Sequence, residues 1–393
     1  MALKLPRTVV ALGVVSFFND LASEIVVPLI PILLAGVLGA GPIVLGLVEG
    51  VADAVASLLK LWSGRRSDLL GGRRKGLTLA GYAVSNLARP LLGLAGSWMT
   101  VLLLRSIDRV GKGVRSAPRD ALVSDATPPH QRGYAYGFHR ALDNAGAVGG
   151  SLVAAAVLAW SAVSLPQMML LSAIPGALAV LCLALGVRET ASPPASRAAP
   201  APLSWRLLGA PMRRYLAVLA LFTLARASET FILLLGHQQG APVVELLLLW
   251  AMLSLAKAST ATLGGRLADR YGRGAVILAS WVAFATAFAL FAATRGPLGL
   301  WLVSVLYGVF AGLGEGAERA VVADFAAPAE RGTAFGWYNL LVGLAAIPAG
   351  LLFGGIWQVC GAPWAFATAA VLALGAALLL ALWAWPRAQQ GAT

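Results

Sequence analysis

Apolar runs of about twenty residues recur along almost the whole chain, the length a helix needs to cross hydrocarbon. Twelve can be marked, at roughly 10–35, 42–63, 76–96, 98–117, 134–161, 166–187, 214–236, 242–263, 274–293, 298–320, 333–357 and 363–385. Glycine, proline or charge clusters separate them, as turns require. Backbone amides find no water in a bilayer, so runs of this length must close their hydrogen bonds internally, as helices. A water-soluble alternative fails on charge: 12% of the 393 residues are charged and 59% are hydrophobic, against about 25% charged in a soluble domain. A single large core does not explain that deficit, because a soluble fold must still cover itself with polar surface. The expected fold class is an all-α integral membrane protein with twelve transmembrane helices.

The net charge of +13 would point to nucleic acid in a soluble protein. Here the bases cluster between alternate runs: Arg65, Arg66, Arg73, Arg74 and Lys75, then Lys112, Arg115, Arg119 and Arg132, then Arg266, Arg270, Arg273, Arg319 and Arg331. The opposite loops, 36–42 and 161–167, carry no Lys or Arg, and Arg295 is the main exception. This is the positive-inside pattern, so no nucleic-acid partner is expected and the lipid bilayer is the partner. Both termini and the basic loops are expected on the cytoplasmic side of the inner membrane. Cys182 and Cys360 lack any CxxC spacing, and His130, His139 and His237 are scattered, so neither a disulfide framework nor a metal site is expected. The first run contains Asn19, Asp20 and Glu24 and lacks a clear cleavage site, which reads as a retained span rather than a signal peptide.

The chain repeats itself. Arg119–Asp125, followed by Pro129, Arg132, Gly133, Ala135 and Gly137, recurs as Glu318–Asp324, followed by Pro328, Arg331, Gly332, Ala334 and Gly336, at an offset of 199. Gly64, Asp68 and Gly71 recur as Gly265, Asp269 and Gly272 at 201, and Phe17, Ser23 and Glu24 recur as Phe222, Ser228 and Glu229 at 205. Six spans precede each recurrence, so the halves share one orientation, as in parallel repeats about an axis along the membrane normal. Between them, residues 189–213 are dense in proline and small residues and read as an extended cytoplasmic linker. The expected domains are therefore six-helix bundles at 1–188 and 214–393.

At these residues the sequence resembles the major facilitator superfamily. Gly64–Lys75 is similar to that family's loop signature between helices two and three, Gly265–Arg273 to its weaker copy, and Arg105–Gly113 to its fourth-helix arginine motif. Leu69 stands where the first copy has a basic residue, and Gly146–Gly150 matches the fifth-helix antiporter motif in part, lacking its proline. The resemblance implies two bundles that rock about a central cavity lined by helices one, four, seven and ten. It implies a cytoplasmic latch that breaks when that side opens, formed by Gly64, Asp68, Gly71, Arg73, Arg74, Asp108, Arg109, Gly265, Asp269, Arg270, Gly272 and Arg273. The residue types fit independently: glycine permits close approach and tight turns, and an aspartate accepts charge-assisted hydrogen bonds.

Ionisable groups at bilayer depth cost about 2.5–3.5 kcal/mol each at a helix centre. Asp20 and Glu24 share one helical face, as do Glu49, Asp53 and Lys60, while His139, Arg140, Asp143 and Asn144 lie together on span five and Arg226, Ser228 and Glu229 on span seven. In a structural reading acids pair with bases across helices, Asp143 with Arg105 or Arg140 for instance, and Arg119, Asp120, Glu318 and Arg319 read this way. In a functional reading the acids exchange protons. Asp20, Glu24, Glu49, Asp53, Arg105, Asp143, Arg226 and Glu229 are the candidates for a substrate or proton pathway. Arg89 before Pro90 reads as a kink with a paired or snorkelling arginine.

The function expected is secondary active transport of a small solute by alternating access, coupled to protons, with export of a cationic or amphipathic compound favoured. The alternative is an uptake symporter for an organic acid or sugar, with Arg105 and Arg226 on a carboxylate. No GxxxxGK[ST], HExxH or GxSxG pattern occurs, so no cofactor, direct ATP coupling or enzyme activity is expected. A receptor would carry a larger soluble domain, and a monomer suffices for the mechanism. Mapping loop accessibility in intact cells should find the basic loops shielded and both halves inserted in one direction; an odd number of crossings would exclude the scheme.

Overall fold

The computed structural model describes residues 5–69, 74–128, 131–187, 205, 208–325 and 331–384, and among them every regular element is a helix. The first half holds α1 (Arg7–Val26), α2 (Ile30–Ile32), α3 (Pro42–Leu69), α4 (Lys75–Leu91), α5 (Trp98–Asp125), α6 (Arg132–Trp160), α7 (Leu165–Leu171) and α8 (Ala173–Gly186). The second holds α9 (Ala210–Ala225), α10 (Thr230–Gln238), α11 (Val243–Tyr271), α12 (Arg273–Ala293), α13 (Pro297–Phe325), α14 (Arg331–Cys360) and α15 (Ala362–Leu379). Ten helical segments are long and apolar enough to cross a membrane: Arg7–Val37, Pro42–Gly64, Tyr134–Trp160, Leu165–Gly186, Ala210–Gln238, Val243–Tyr271, Arg273–Ala293, Pro297–Gly314, Thr333–Cys360 and Ala362–Ala384. The third and fourth apolar runs correspond to α4, which is 17 residues long, and α5, which carries Arg105, Asp108, Arg109, Lys112 and Arg115. The all-helical membrane fold expected from the sequence is the one observed.

Local chemistry sets the helix ends. Ser97 caps α5 by accepting from the Thr100 amide, and Ser164 and Gln167 form a reciprocal capping box at α7. Proline occupies the first turn of α7, α9 and α15, where its missing N–H has no partner to lose. Gly272, at φ 87°, joins α11 to α12 as a single residue in the left-handed region, which a side chain would resist.

The chain forms two compact units. The first comprises Met1–Leu38, Val55–Pro200 and Val243–Ala251; the second comprises Gly39–Ala54, Ala201–Pro242 and Met252–Thr393. In the first unit Val9, Leu12, Val15, Tyr82, Leu122, Val123, Ala135, Leu183 and Val187 make one buried cluster, with Tyr82 wholly enclosed. The second is organised by aromatic rings: Phe222 stacks on Trp281 at 4.1 Å, and Phe284, Phe288, Phe291, Phe353 and Phe366 continue the contacts across α12, α14 and α15. Such ring pairs add directionality to burial.

Glycines let helices touch backbone to backbone. In the first unit, a Cβ on Gly146 would lie 2.3 Å from the Phe17 carbonyl and one on Gly150 2.4 Å from that of Leu21. These span-five glycines therefore pack on α1 of their own half. The span-eleven glycines do meet the other half's sequence, within the second unit: a Cβ on Gly350 would lie 2.1 Å from the Gly46 carbonyl, and one on Gly354 2.5 Å from that of Pro42. Gly350→Val should lower stability by roughly 1–3 kcal/mol through overpacking. Gly375→Ala, which meets nothing within 4 Å, should leave the melting temperature in detergent unchanged or slightly higher.

Candidate functional site

The first unit carries a polar core built on Arg89, Arg105 and Asp108, which are 2%, 0% and 1% exposed. Arg89 Nε donates to Asp108 Oδ1 at 2.9 Å, and Arg105 Nη1 donates to Oδ2 at 3.2 Å, so one carboxylate bridges α4 and α5 between two guanidinium groups. Arg89 Nη1 also donates to the Asn19 carbonyl at 3.1 Å and to Asn86 Oδ1 at 3.1 Å, tying α1 to the same point. Ser85 donates to the Asp108 carbonyl and receives from Arg115 Nη1, whose guanidinium lies 4.6 Å over the Tyr82 ring. In hydrocarbon, two cations on one acid with this many donors satisfied hold three helices together.

Along α1, Asp20 and Glu24 lie one turn apart and half-buried. Their donors are neutral: Asn19 Nδ2 reaches Asp20 at 2.8 Å, and Trp250 Nε1 reaches Glu24 at 2.7 Å. Asp143, buried on α6, accepts from the Ser16 hydroxyl and faces His139 Nδ1 at 3.6 Å and Arg140 Nη1 at 4.0 Å. The buried Nε2 of His139 has no partner among the described residues.

The second unit holds a matching constellation. α9 ends at Ala225 with Arg226 as its C-cap, the four residues 226–229 are non-helical, and α10 begins at Thr230, so the apolar span is interrupted where its charges sit. Glu318 on α13 receives Arg226 Nη1 at 3.3 Å, Trp281 Nε1 at 3.0 Å and the Tyr338 hydroxyl at 3.4 Å. Glu229 receives Lys257 Nζ at 2.8 Å on both oxygens and the Tyr307 hydroxyl at 3.0 Å.

The remaining sequence candidates are distributed as follows. Glu49 is buried and Asp53 exposed, although one turn separates them on α3. Arg105 pairs with Asp108 rather than Asp143, and Arg119 pairs with the adjacent Asp120 at 2.8 Å. Of the expected latch, Gly71, Arg73 and the side chain of Asp68 lie outside the described residues. Asp108 and Arg109 are buried within the first unit, Gly64 faces Ala117 on α5, and Gly265, Asp269 and Arg270 lie on the last turns of α11, with Arg270 over the Tyr271 ring. Arg74 pairs with Asp125, and Arg273 with Asp324. These two ion pairs are the same pair displaced by 199 residues, so the sequence repeat is also a repeat of contacts. Lys257, Tyr307 and Trp281 escaped the sequence reading. Lys257 carried a usable signal, since it is the one base in the apolar stretch 243–263.

Residues 12–256 and 217–392 each match the Major Facilitator Superfamily. The chain belongs to that superfamily. An uncharacterised transporter of the superfamily from Methanocaldococcus jannaschii is 30% identical over 387 residues, 96% of this chain and 95% of its own. The multidrug resistance protein MdtH of Yersinia pestis is 31% identical over 129 residues, 33% of this chain and 32% of its own. The solved human organic anion transporter MFSD10 superposes with a TM-score of 0.70 over 95% of this chain and 99% of its own; at 21% identity the likeness is one of fold. As a Major Facilitator protein, the chain is a multi-pass membrane protein of a transporter family whose members handle small solutes.

Asp108 is the group on which the first unit's buried charges depend. Asp108→Asn removes the negative charge that Arg89 and Arg105 share and should cost roughly 3–5 kcal/mol. A lowered unfolding temperature in detergent, absent in Asp269→Asn at the exposed end of α11, checks this.

Proposed function

We propose that this protein exports a small solute across the cytoplasmic membrane in exchange for protons, by alternating access of two six-helix bundles. In this reading the bundles are 1–188 and 214–393, the linker 189–213 and both termini are cytoplasmic, twelve spans cross the bilayer, and the chain acts as a monomer. α4 and α5 supply the third and fourth spans because Arg89, Arg105 and Asp108, at their centre, are buried and paired.

The observation that carries proton coupling is the contrast among the acids. Asp108, Glu318 and Glu229 are each held by a base, whereas among the described residues Asp20 and Glu24 are held by neutral donors and stay half-buried. A carboxylate already engaged with a cation gains little from a proton. One with a neutral amide or indole beside it can be protonated and released without stranding a counter-charge. Asp20 and Glu24 are therefore the proton carriers. Export draws support from the part-length likeness to a multidrug resistance protein. Uptake of an organic acid is the second reading, favoured by the partial exposure of Arg226, at 33%.

Proteoliposomes loaded with a pH-sensitive dye and offered a panel of cationic and amphipathic solutes test this. Solute addition should release or consume protons in the parent protein. Asp20→Asn and Glu24→Gln should lose the pH-gradient response while retaining downhill solute exchange. Flux that ignores an imposed pH gradient in the parent protein would end the proton assignment.

A further inference from the structure

α1 and α6 lie side by side in register, and the polar groups of their seam fall in order of depth. Gly146 packs on the Phe17 carbonyl, Gly150 on that of Leu21, and the Ser151 hydroxyl donates to the Glu24 carbonyl at 3.5 Å. Ser16 lies level with Asp143, to which it donates, and Asp20 and Glu24 follow at one-turn intervals on the same face of α1. One turn before Asp143, His139 is 4% exposed and turns Nδ1 to the carboxylate at 3.6 Å. Its Nε2 is buried and has no partner among the described residues. Buried polar atoms are nearly always hydrogen-bonded, so an open ring nitrogen asks for a reason. The charged groups facing the imidazole are Asp143 and Arg140 on its own helix, Asp20 on α1, and Arg119 and Asp120 on α5, of which Asp120 is 52% exposed. From the level of Ser151 to that of His139, this file of titratable groups covers about 18 Å of the span.

We infer that His139 and Asp143 are the relay that carries protons between Asp20 and the cytoplasmic face. This rests on the proton-coupled reading and extends it from the carriers to their outlet, in the same topology. Asp143 resembles Asp20 and Glu24 in its surroundings: its closest donor is a neutral hydroxyl, and the Arg140 guanidinium, at 4.0 Å, is 56% exposed. Such an acid can take and lose a proton without stranding a buried cation. The transfer balances at each step. A proton on the Asp143 carboxyl passes to Nδ1, which leaves an imidazolium beside a carboxylate. The Nε2–H bond then breaks, its proton goes to the Asp120 carboxylate or to cytoplasmic water, and the neutral side chain swings so that a bare nitrogen again faces Asp143.

The first test reads the proton itself, in the purified full-length protein in lipid nanodiscs with no gradient and no solute. His130→Gln with His237→Gln leaves His139 as the sole histidine, so its ring nitrogens can be followed by 15N NMR. The Asp143 carboxyl band, assigned by its loss in Asp143→Asn, is followed by infrared difference spectroscopy between acid and alkaline buffer. Both groups should bind protons while the protein stays folded, and the His139 signals should move to lower pH in Asp143→Asn. Ser16→Ala, which removes a donor to the charged carboxylate, should move the Asp143 band to higher pH. The second test drives proton flux with ethidium in dye-loaded proteoliposomes. His139→Gln should slow it at least tenfold and slow ethidium exchange far less, whereas His139→Glu, which keeps a protonatable group, should recover it. A His139 that stays silent across the folded range, or equal slowing in the Gln and Glu variants, overturns the relay. If neither His139 variant folds, an Asp143 band unmoved by Ser16→Ala overturns it instead. Proton binding by the pair without ethidium-driven flux would count against the export reading; flux with a silent His139 would sink this inference alone.

Discussion

A carboxylate or guanidinium carried into hydrocarbon has to find an opposite charge or a donor, because neither water nor counter-ions are there to compensate it. That requirement organises the interior of both units. Asp108 collects Arg89 and Arg105 and thereby fixes α1, α4 and α5 at one point; Glu318 collects Arg226, Trp281 and Tyr338 and does the same for α9, α12, α13 and α14. Apolar packing fills the space around these points, but lipid competes for apolar contacts and offers nothing to an ion. The charges therefore specify which helices meet.

Duplication supplied the frame and divergence supplied the chemistry. The pairs Arg74–Asp125 and Arg273–Asp324 occupy equivalent places and retain the same residues. Elsewhere equivalent places differ: Tyr82 in one half corresponds to Trp281 in the other, and Arg119 corresponds to Glu318. The indole of Trp281, on α12, donates to the acid Glu318 on α13. Tyr82 instead lies under the guanidinium of Arg115. α1 runs through twenty residues before its first irregular turn, whereas its counterpart breaks at Arg226 and opens the backbone beside Glu229.

Much of this was legible in order of residues alone, wherever the cause is local or periodic. Apolar run length, the side on which bases accumulate, and the spacing of the recurring Gly-x-x-x-Asp signature are all properties of the chain, and each follows from what a bilayer tolerates. The candidate acids were legible for the same reason, since Asp20, Glu24 and Glu229 interrupt apolar stretches. What spacing could not tell is partnership. Asp143 and Arg105 made a plausible pair on paper, yet Arg105 turns to Asp108 three residues along its own helix and Asp143 meets Ser16 and His139. Gly146 and Gly150 pack on Phe17 and Leu21 of α1, a partnership that spacing does not reveal, because small residues record that something approaches closely and carry no record of what.

The sequence by itself determined that this is a duplicated helical membrane protein with basic loops, because hydrophobic length and charge sidedness act on each segment separately. Tertiary structure alone decided which buried acids are locked to bases and which keep neutral donors. That distinction depends on rotations of neighbouring helices that bring Lys257 to Glu229 and Trp250 to Glu24, and those rotations are settled jointly by glycine contacts and ring packing distributed over the whole fold.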